Sequence, residues 1–141
     1  MMQTIPVTWM QMVITLLVMF LVAIKMPEVV HARDSVDIIN QLDSTFTLHC
    51  RSRDNDLMQH DITAGEDFAF SFNENIWGTT EFWCNFWWGN KSQEFTVWKG
   101  SDIRGTHKQI CAQCVYYVRP DGFYVGQWNG PPPTFMDPWL T

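Results

Sequence analysis

Four cysteines, Cys50, Cys84, Cys111 and Cys114, have the widest chemical range of any residues in this chain. Cys111 and Cys114 form a C-x-x-C, the spacing of a redox dithiol in thioredoxin-like proteins. That chemistry calls for a βαβ surround with a helix after the motif, whereas "VYYV", a strand pattern, follows Cys114. His49, Cys50, Cys111 and Cys114 are of the residue types that bind zinc. In an oxidising compartment, disulfides are the better reading of the same cysteines. The run "DNDLMQHD" gathers Asp54, Asp56 and Asp61 but lacks the Gly and the distal Glu of a calcium loop. There is no G-x-S-x-G nucleophile motif and no phosphate loop. The sequence therefore points to no catalytic residue, no cofactor-binding residue and no metal site, and a binding role is the stronger expectation.

The compartment is read from the first thirty-two residues. "VITLLVMFLVAI", from Val13 to Ile24, carries no charge, Lys25 ends it, and Val30 and Ala32 stand at −3 and −1 of a small-residue cleavage site. This reads as a secretory signal over residues 1–32, removed before Arg33. The apolar run is shorter than the roughly 20 residues a membrane span needs, so no membrane insertion is expected after cleavage. Losing Lys25 and Glu28 leaves the net charge at −6. A chain this acidic, with no Lys/Arg run, lacks the phosphate-neutralising surface that nucleic acid requires. An even number of cysteines after a signal segment implies two disulfides. Four cysteines allow three connectivities; each member of the C-x-x-C is expected to reach a distant partner, Cys50 or Cys84, removing about 3–4 kcal/mol of unfolded-state entropy per bridge.

The elements that carry these residues are strands. Alternation of period two marks residues 35–40, 46–52, 66–72, 81–88, 94–100 and 110–120, and "DG" at Asp121–Gly122 turns the last of these into a hairpin with "FYVGQW". About seven short strands with Gly, Asn and Asp turns between them predict an all-β fold, a small antiparallel β-sandwich stapled by two disulfides over residues 33–128. "RDNDLMQHD" reads as a polar turn. Residues 129–141, with four prolines, form a tail that cannot be a central strand and wraps the surface or stays loose.

Within "TTEFWCNFWWGN", Phe82, Cys84, Phe86 and Trp88 share one parity and read as the buried face of a central strand. Trp83 and Trp87 take the other parity, with Trp98 on the outward parity of the next strand. Three open tryptophans would stack on sugar rings, so a carbohydrate-binding or wall-associated module is the alternative function. Phe135 and Trp139 of the tail are a candidate cover for that face. Asn90 of "NKS" is a glycosylation acceptor in a turn.

One block, "LHCRSRDNDLMQHDITAGEDFAFSFNENIWGTTEFWCNFWW", resembles the plant self-incompatibility protein S1 family. The resemblance rests on His49-Cys50 with the mixed-charge run from Arg51 to Asp54, on Asp56-Leu57, His60 and Gly65, and on Gly78-Thr79-Thr80. It continues through Phe82-x-Cys84-x-Phe86-x-Trp88, Cys111-x-x-Cys114 and Gly122, and covers roughly Val36 to Trp128. The chain departs from the pattern at Met58, where the family carries Gly after Asp-Leu, at Glu81, and in the proline-rich tail. The resemblance implies a secreted, extracellular, monomeric ligand of a cell-surface protein receptor, acting in pollen recognition or in a developmental or defence signal. It brings no catalytic residues. It places specificity in exposed loops, here Asp54, Asn55, Asp56, Leu57, Met58, Gln59 and His60, and more weakly residues 102–108.

Overall fold

In the computed structural model, the structure describes residues 7–23, 33–100 and 111–141. Two compact units are present, Met1–Ala32 and Arg33–Thr141. The first holds one helix, α1 (Val7–Ala23), uncharged and apolar apart from Thr8, Gln11 and Thr15. It is of 17 residues, and no helix of the described residues is long and apolar enough to cross a membrane.

The second unit is a two-sheet sandwich. Its strands are β1 (Asp34–Asn40), β2 (Phe46–Ser52), β3 (Asp56–Ile62), β4 (Asp67–Phe72), β5 (Glu81–Trp88), β6 (Lys91–Lys99), β7 (Gln113–Arg119), β8 (Gly122–Gln127) and β9 (Thr134–Asp137). One sheet runs β4-β1-β7-β8-β9 and the other β3-β2-β5-β6. All pairs are antiparallel except β1 with β7, which is parallel, so the expected purely antiparallel sandwich is a mixed one. The strand count exceeds the expected seven because two segments read as turn and tail are strands. Residues 56–62 form β3 at a sheet edge, where few side chains need an apolar environment and the sequence can stay polar. Residues 134–137 form β9 at the edge beyond β8, a place where neighbouring prolines do no harm.

The core between the sheets is aromatic. Phe82, Cys84 and Phe86 of β5 are buried, as their parity predicts, against Val36 and Ile38 of β1 and Tyr116 and Val118 of β7. Phe86 and Phe95 stack with ring centroids 5.0 Å apart, and Phe123 meets both, at 4.8 and 5.1 Å. Tilted and edge-to-face packing of this kind adds about 0.5–1.5 kcal/mol per pair beyond area burial. Asn40 is the buried polar residue of this core, and its amide is fully used. Its Nδ2 donates to the carbonyls of Ser44 and Ile62, and its Oδ1 accepts from the Leu42 N–H. That ties β1 of one sheet to the end of β3 in the other.

The tail closes the sandwich. Trp139 packs on Phe123 (4.6 Å) and Trp88 (5.7 Å) and donates its indole N–H to the Arg119 carbonyl. Leu140 and Ser92 exchange backbone hydrogen bonds of 2.8 Å in both directions, carrying the chain from the β9 edge to β6. The tail thus covers the inward parity of β5, through Trp88, and not the face of Trp83 and Trp87.

The cysteines pair as Cys50–Cys84 and Cys111–Cys114. The expected pairing of each C-x-x-C member with a distant cysteine is overturned by register: Cys50 and Cys84 lie directly opposite on β2 and β5, leaving Cys111 and Cys114 to each other. The first bridge closes a separation of 34 residues and the second a separation of 3. The loop-entropy contribution is therefore about 4 kcal/mol for the first and only about 2 kcal/mol for the second.

Candidate functional site

Sequence reasoning placed specificity in residues 54–60. Only Asp54 and Asn55 are turn; Asp56, Leu57, Met58, Gln59 and His60 belong to β3, which pairs with β2 from Phe46↔Ile62 to Arg51↔Asp56 with a register shift between His49 and Arg51. The turn is tight: Ser52 N donates to Asn55 O (2.7 Å), and Asn55 N to Ser52 Oγ (3.1 Å). His49 Nε2 donates to Asp56 Oδ1 at 2.5 Å, and the same oxygen accepts from the Met58 N–H at 2.9 Å. Those two bonds hold the Asp56 carboxyl below its ordinary pKa, the histidine's being the larger cause. His60 turns inward, donates to the Leu57 carbonyl and lies 4.6 Å from the Phe68 ring.

Met58 is the unusual residue of this strand. Its φ is +67°, in the left-handed region that costs a residue with a Cβ about 1–2 kcal/mol. It is also 64% exposed, an apolar side chain facing water at a strained position. Glycine, the residue the resemblance leads one to expect here, takes this conformation without that cost.

The β4–β5 connection lies beside the turn. It read in the sequence merely as a link containing Gly78, and it carries two exposed apolar residues that sequence reasoning missed: Ile76 (85% exposed) and Trp77 (63%). They are held by Asn75, whose Oδ1 accepts from the N–H groups of Trp77 and Thr79. Its Nδ2 donates to Thr79 Oγ1, its backbone N–H donates to Thr80 Oγ1, and its carbonyl accepts from Gly78 N. Gly78 takes a φ of +66° to close this turn. An Ile-Trp doublet between Asn and Gly was the available signal. The β2–β3 turn and this connection flank a cleft of about 270 Å³, lined by Ser52, Arg53, Asp54 and Asn55 on one side and by Asn73, Asn75 and Thr80 on the other.

The tryptophan platform does not assemble. Trp98 is 2% exposed and packs edge-on against Phe72 at 4.7 Å. A bulge is the cause: Phe82 pairs with Trp98 but Trp83 pairs with Thr96, so Val97 is the extra residue and both Val97 and Trp98 point inward. Trp83 is half-buried with the Arg51 guanidinium 5.8 Å over its ring, and only Trp87, 40% exposed, stays open. Asn90 is exposed in the two-residue β5–β6 turn after Gly89. The weaker loop, residues 102–108, lies outside the described residues. Among the described residues, no group of three or more His, Cys, Asp or Glu is placed to hold a metal ion.

The fold is thus a small, aromatic-cored, disulfide-bonded β-sandwich that presents a turn, a strained edge strand and a braced apolar loop. Residues 35–139 match the family described as plant self-incompatibility protein S1, and the chain belongs to that family. The match extends past Trp128 and takes in β9 and Trp139. The chain is 35% identical to S-protein homolog 2 of Arabidopsis thaliana over 94 residues, which are 64% of this chain and 58% of that protein. It is 36% identical to Self-incompatibility protein S1 of Papaver rhoeas over 77 residues, 55% of each chain. It thus spans little more than half the length of these two relatives. Its fold is that of a solved self-incompatibility protein homologue, with a TM-score of 0.52, 17% identity, and 78% of this chain and 98% of the other covered. That structure represents a widespread family of small, highly stable, secreted plant proteins.

Proposed function

We propose that this protein is a secreted ligand, not an enzyme, that binds a cell-surface protein receptor in pollen recognition or in a related developmental or defence signal. In this reading the leader over residues 1–32 is removed, Asn90 carries a glycan, and the mature protein is a monomer. The binding surface is the end of the sandwich formed by residues 54–60 and the β4–β5 connection. The observation that carries it is Trp77: a large, exposed aromatic ring on a loop braced at five hydrogen bonds by Asn75, beside a polar cleft. A rigid aromatic anchor with a polar rim is the usual make-up of an interface hot spot, because little conformational entropy is lost when it is buried. Loops on a rigid scaffold are also where recognition concentrates.

The test is binding of the labelled, secreted protein to pollen tubes and to leaf protoplasts. Trp77→Ala should weaken surface binding by about tenfold or more with an unchanged melting temperature. Exchanging residues 54–60 for those of a relative should move the response to the relative's target. Full binding by Trp77→Ala together with unchanged specificity in the exchange would remove this surface from consideration.

A further inference from the structure

The outer face of the five-stranded sheet holds a second cavity of about 270 Å³, on the opposite layer from residues 54–60. Its floor is Ala69 of β4, Asp37 of β1 and Val115 of β7, with Ser35 and Gln113 at the rim and Trp128 as a wall. Ala69 stands directly opposite Asp37, and its small side chain leaves the space open. Val115 is buried without belonging to the core between the sheets. Trp128 is 64% exposed, and its backbone N–H donates to the Gln113 carbonyl, which fixes the ring's root at the cavity edge.

Asp37 gives the cavity its chemistry. Its carboxyl is hydrogen-bonded to Asp67, yet its Oδ1 is buried and has no hydrogen-bond partner. A buried acceptor left unpaired costs about 1–3 kcal/mol, so a donor that reaches this oxygen, from water or from a ligand, is stabilised there. Burial, with Asp67 beside it, pushes the Asp37 pKa up to about 7, so at mildly acidic pH the pair holds a proton and can also donate.

These groups select the ligand. Two aspartates and a net charge of −6 reject anions. An aromatic wall takes an apolar ring face, the Asp37–Asp67 pair accepts a hydrogen bond from a hydroxyl or donates one to it, and Gln113 and Ser35 each both donate and accept. The volume lies below the roughly 300–1,000 Å³ of a drug-sized site, which suits a single ring with its chain leaving over the open side. We propose that this cavity is a subsite for one neutral pyranose unit of a glycan, its apolar face on Trp128 and a hydroxyl on Asp37. The subsite is separate from the receptor-binding surface and neither reading depends on the other.

The experiment is an NMR titration of the secreted protein with cellohexaose, xylohexaose, mannohexaose and galactohexaose, and with choline as a cationic control. At least one hexaose should give saturable shifts at Ser35, Asp37, Gln113 and the Trp128 indole, with Met58 and Trp77 unmoved. Trp128→Ala should weaken that binding by about tenfold and Trp128→Phe should restore most of it. Because Trp128 is exposed, its replacement leaves the fold intact, which the unchanged remainder of the spectrum verifies. No saturable shift with any of the four sugars, shifts confined to Trp83 and Trp87, or shifts with choline alone would each overturn the assignment.

Discussion

Cys50 and Cys84 face each other directly across β2 and β5, in the middle of the four-stranded sheet, and are joined there with no exposure to solvent. The bridge fixes the register of the two strands whose inward residues build half the core. Because it closes far more chain than Cys111–Cys114 does, the two bridges contribute unequally. Replacing Cys50 and Cys84 together by Ala should lower unfolding free energy by about 4 kcal/mol, against about 2 kcal/mol for Cys111 and Cys114 together. Urea denaturation of the two double variants measures the difference. Equal losses would contradict the pairing.

Met58 should be improvable. Glycine occupies the left-handed region without the 1–2 kcal/mol cost borne by a side chain, and gives back about 0.5–1 kcal/mol through its freer unfolded state. Met58→Gly should therefore stabilise the domain by up to about 1 kcal/mol, while Met58→Ala keeps the strain and gains nothing. Thermal melts of both variants decide it. If the strained methionine serves receptor binding, the more stable Met58→Gly protein should bind pollen or protoplast surfaces less well.

The tail should behave as core. Trp139→Ala removes a buried ring packed on Phe123 and Trp88 and should cost about 3–5 kcal/mol. Phe135, exposed and packed edge-on against Tyr124, should cost about 1 kcal/mol or less on the same change. Comparable losses at both positions would show that Trp139 is not packed as described.

Stability should fall as pH rises from about 4 to about 7. The folded state raises the Asp37 pKa from 3.8 to about 7, so within that window the folded protein binds a proton that the unfolded chain has released. Glu74, raised by burial and by Asp34, acts in the same direction. Asp56, held low by His49, acts in the opposite direction and only at more acidic pH, where its stabilisation is lost as the carboxyl protonates. Urea midpoints of the wild type should decline across the window, and Asp37→Asn should flatten the decline. A midpoint that rises through the same range in the wild type would contradict the burial of Asp37.

Part of this could be read from one chain alone. Strict alternation located β1, β2, β4 and β5 and named Phe82, Cys84 and Phe86 as buried, because a strand covered on one face must alternate. The "DG" turn located the β7–β8 hairpin for an equally local reason, its positive φ being cheap for glycine. The C-x-x-C and the ordered motifs of the resemblance are local as well.

What the tertiary structure alone decided is everything set by pairing at a distance. Trp98 alternates correctly for an exposed residue and is buried, because a bulge at Val97, seen only in the pairing of β6 with β5, turns it inward. Residues 53–61 read as a polar turn, yet 56–62 form a strand, because an edge strand gains its hydrogen bonds from β2 and needs few apolar side chains. The cysteine pairing follows from strand register, and the Asp37 cavity exists because β1 lies between β4 and β7, which are distant in sequence. Composition and period report what each residue needs; only the assembled sheets report which neighbour supplies it.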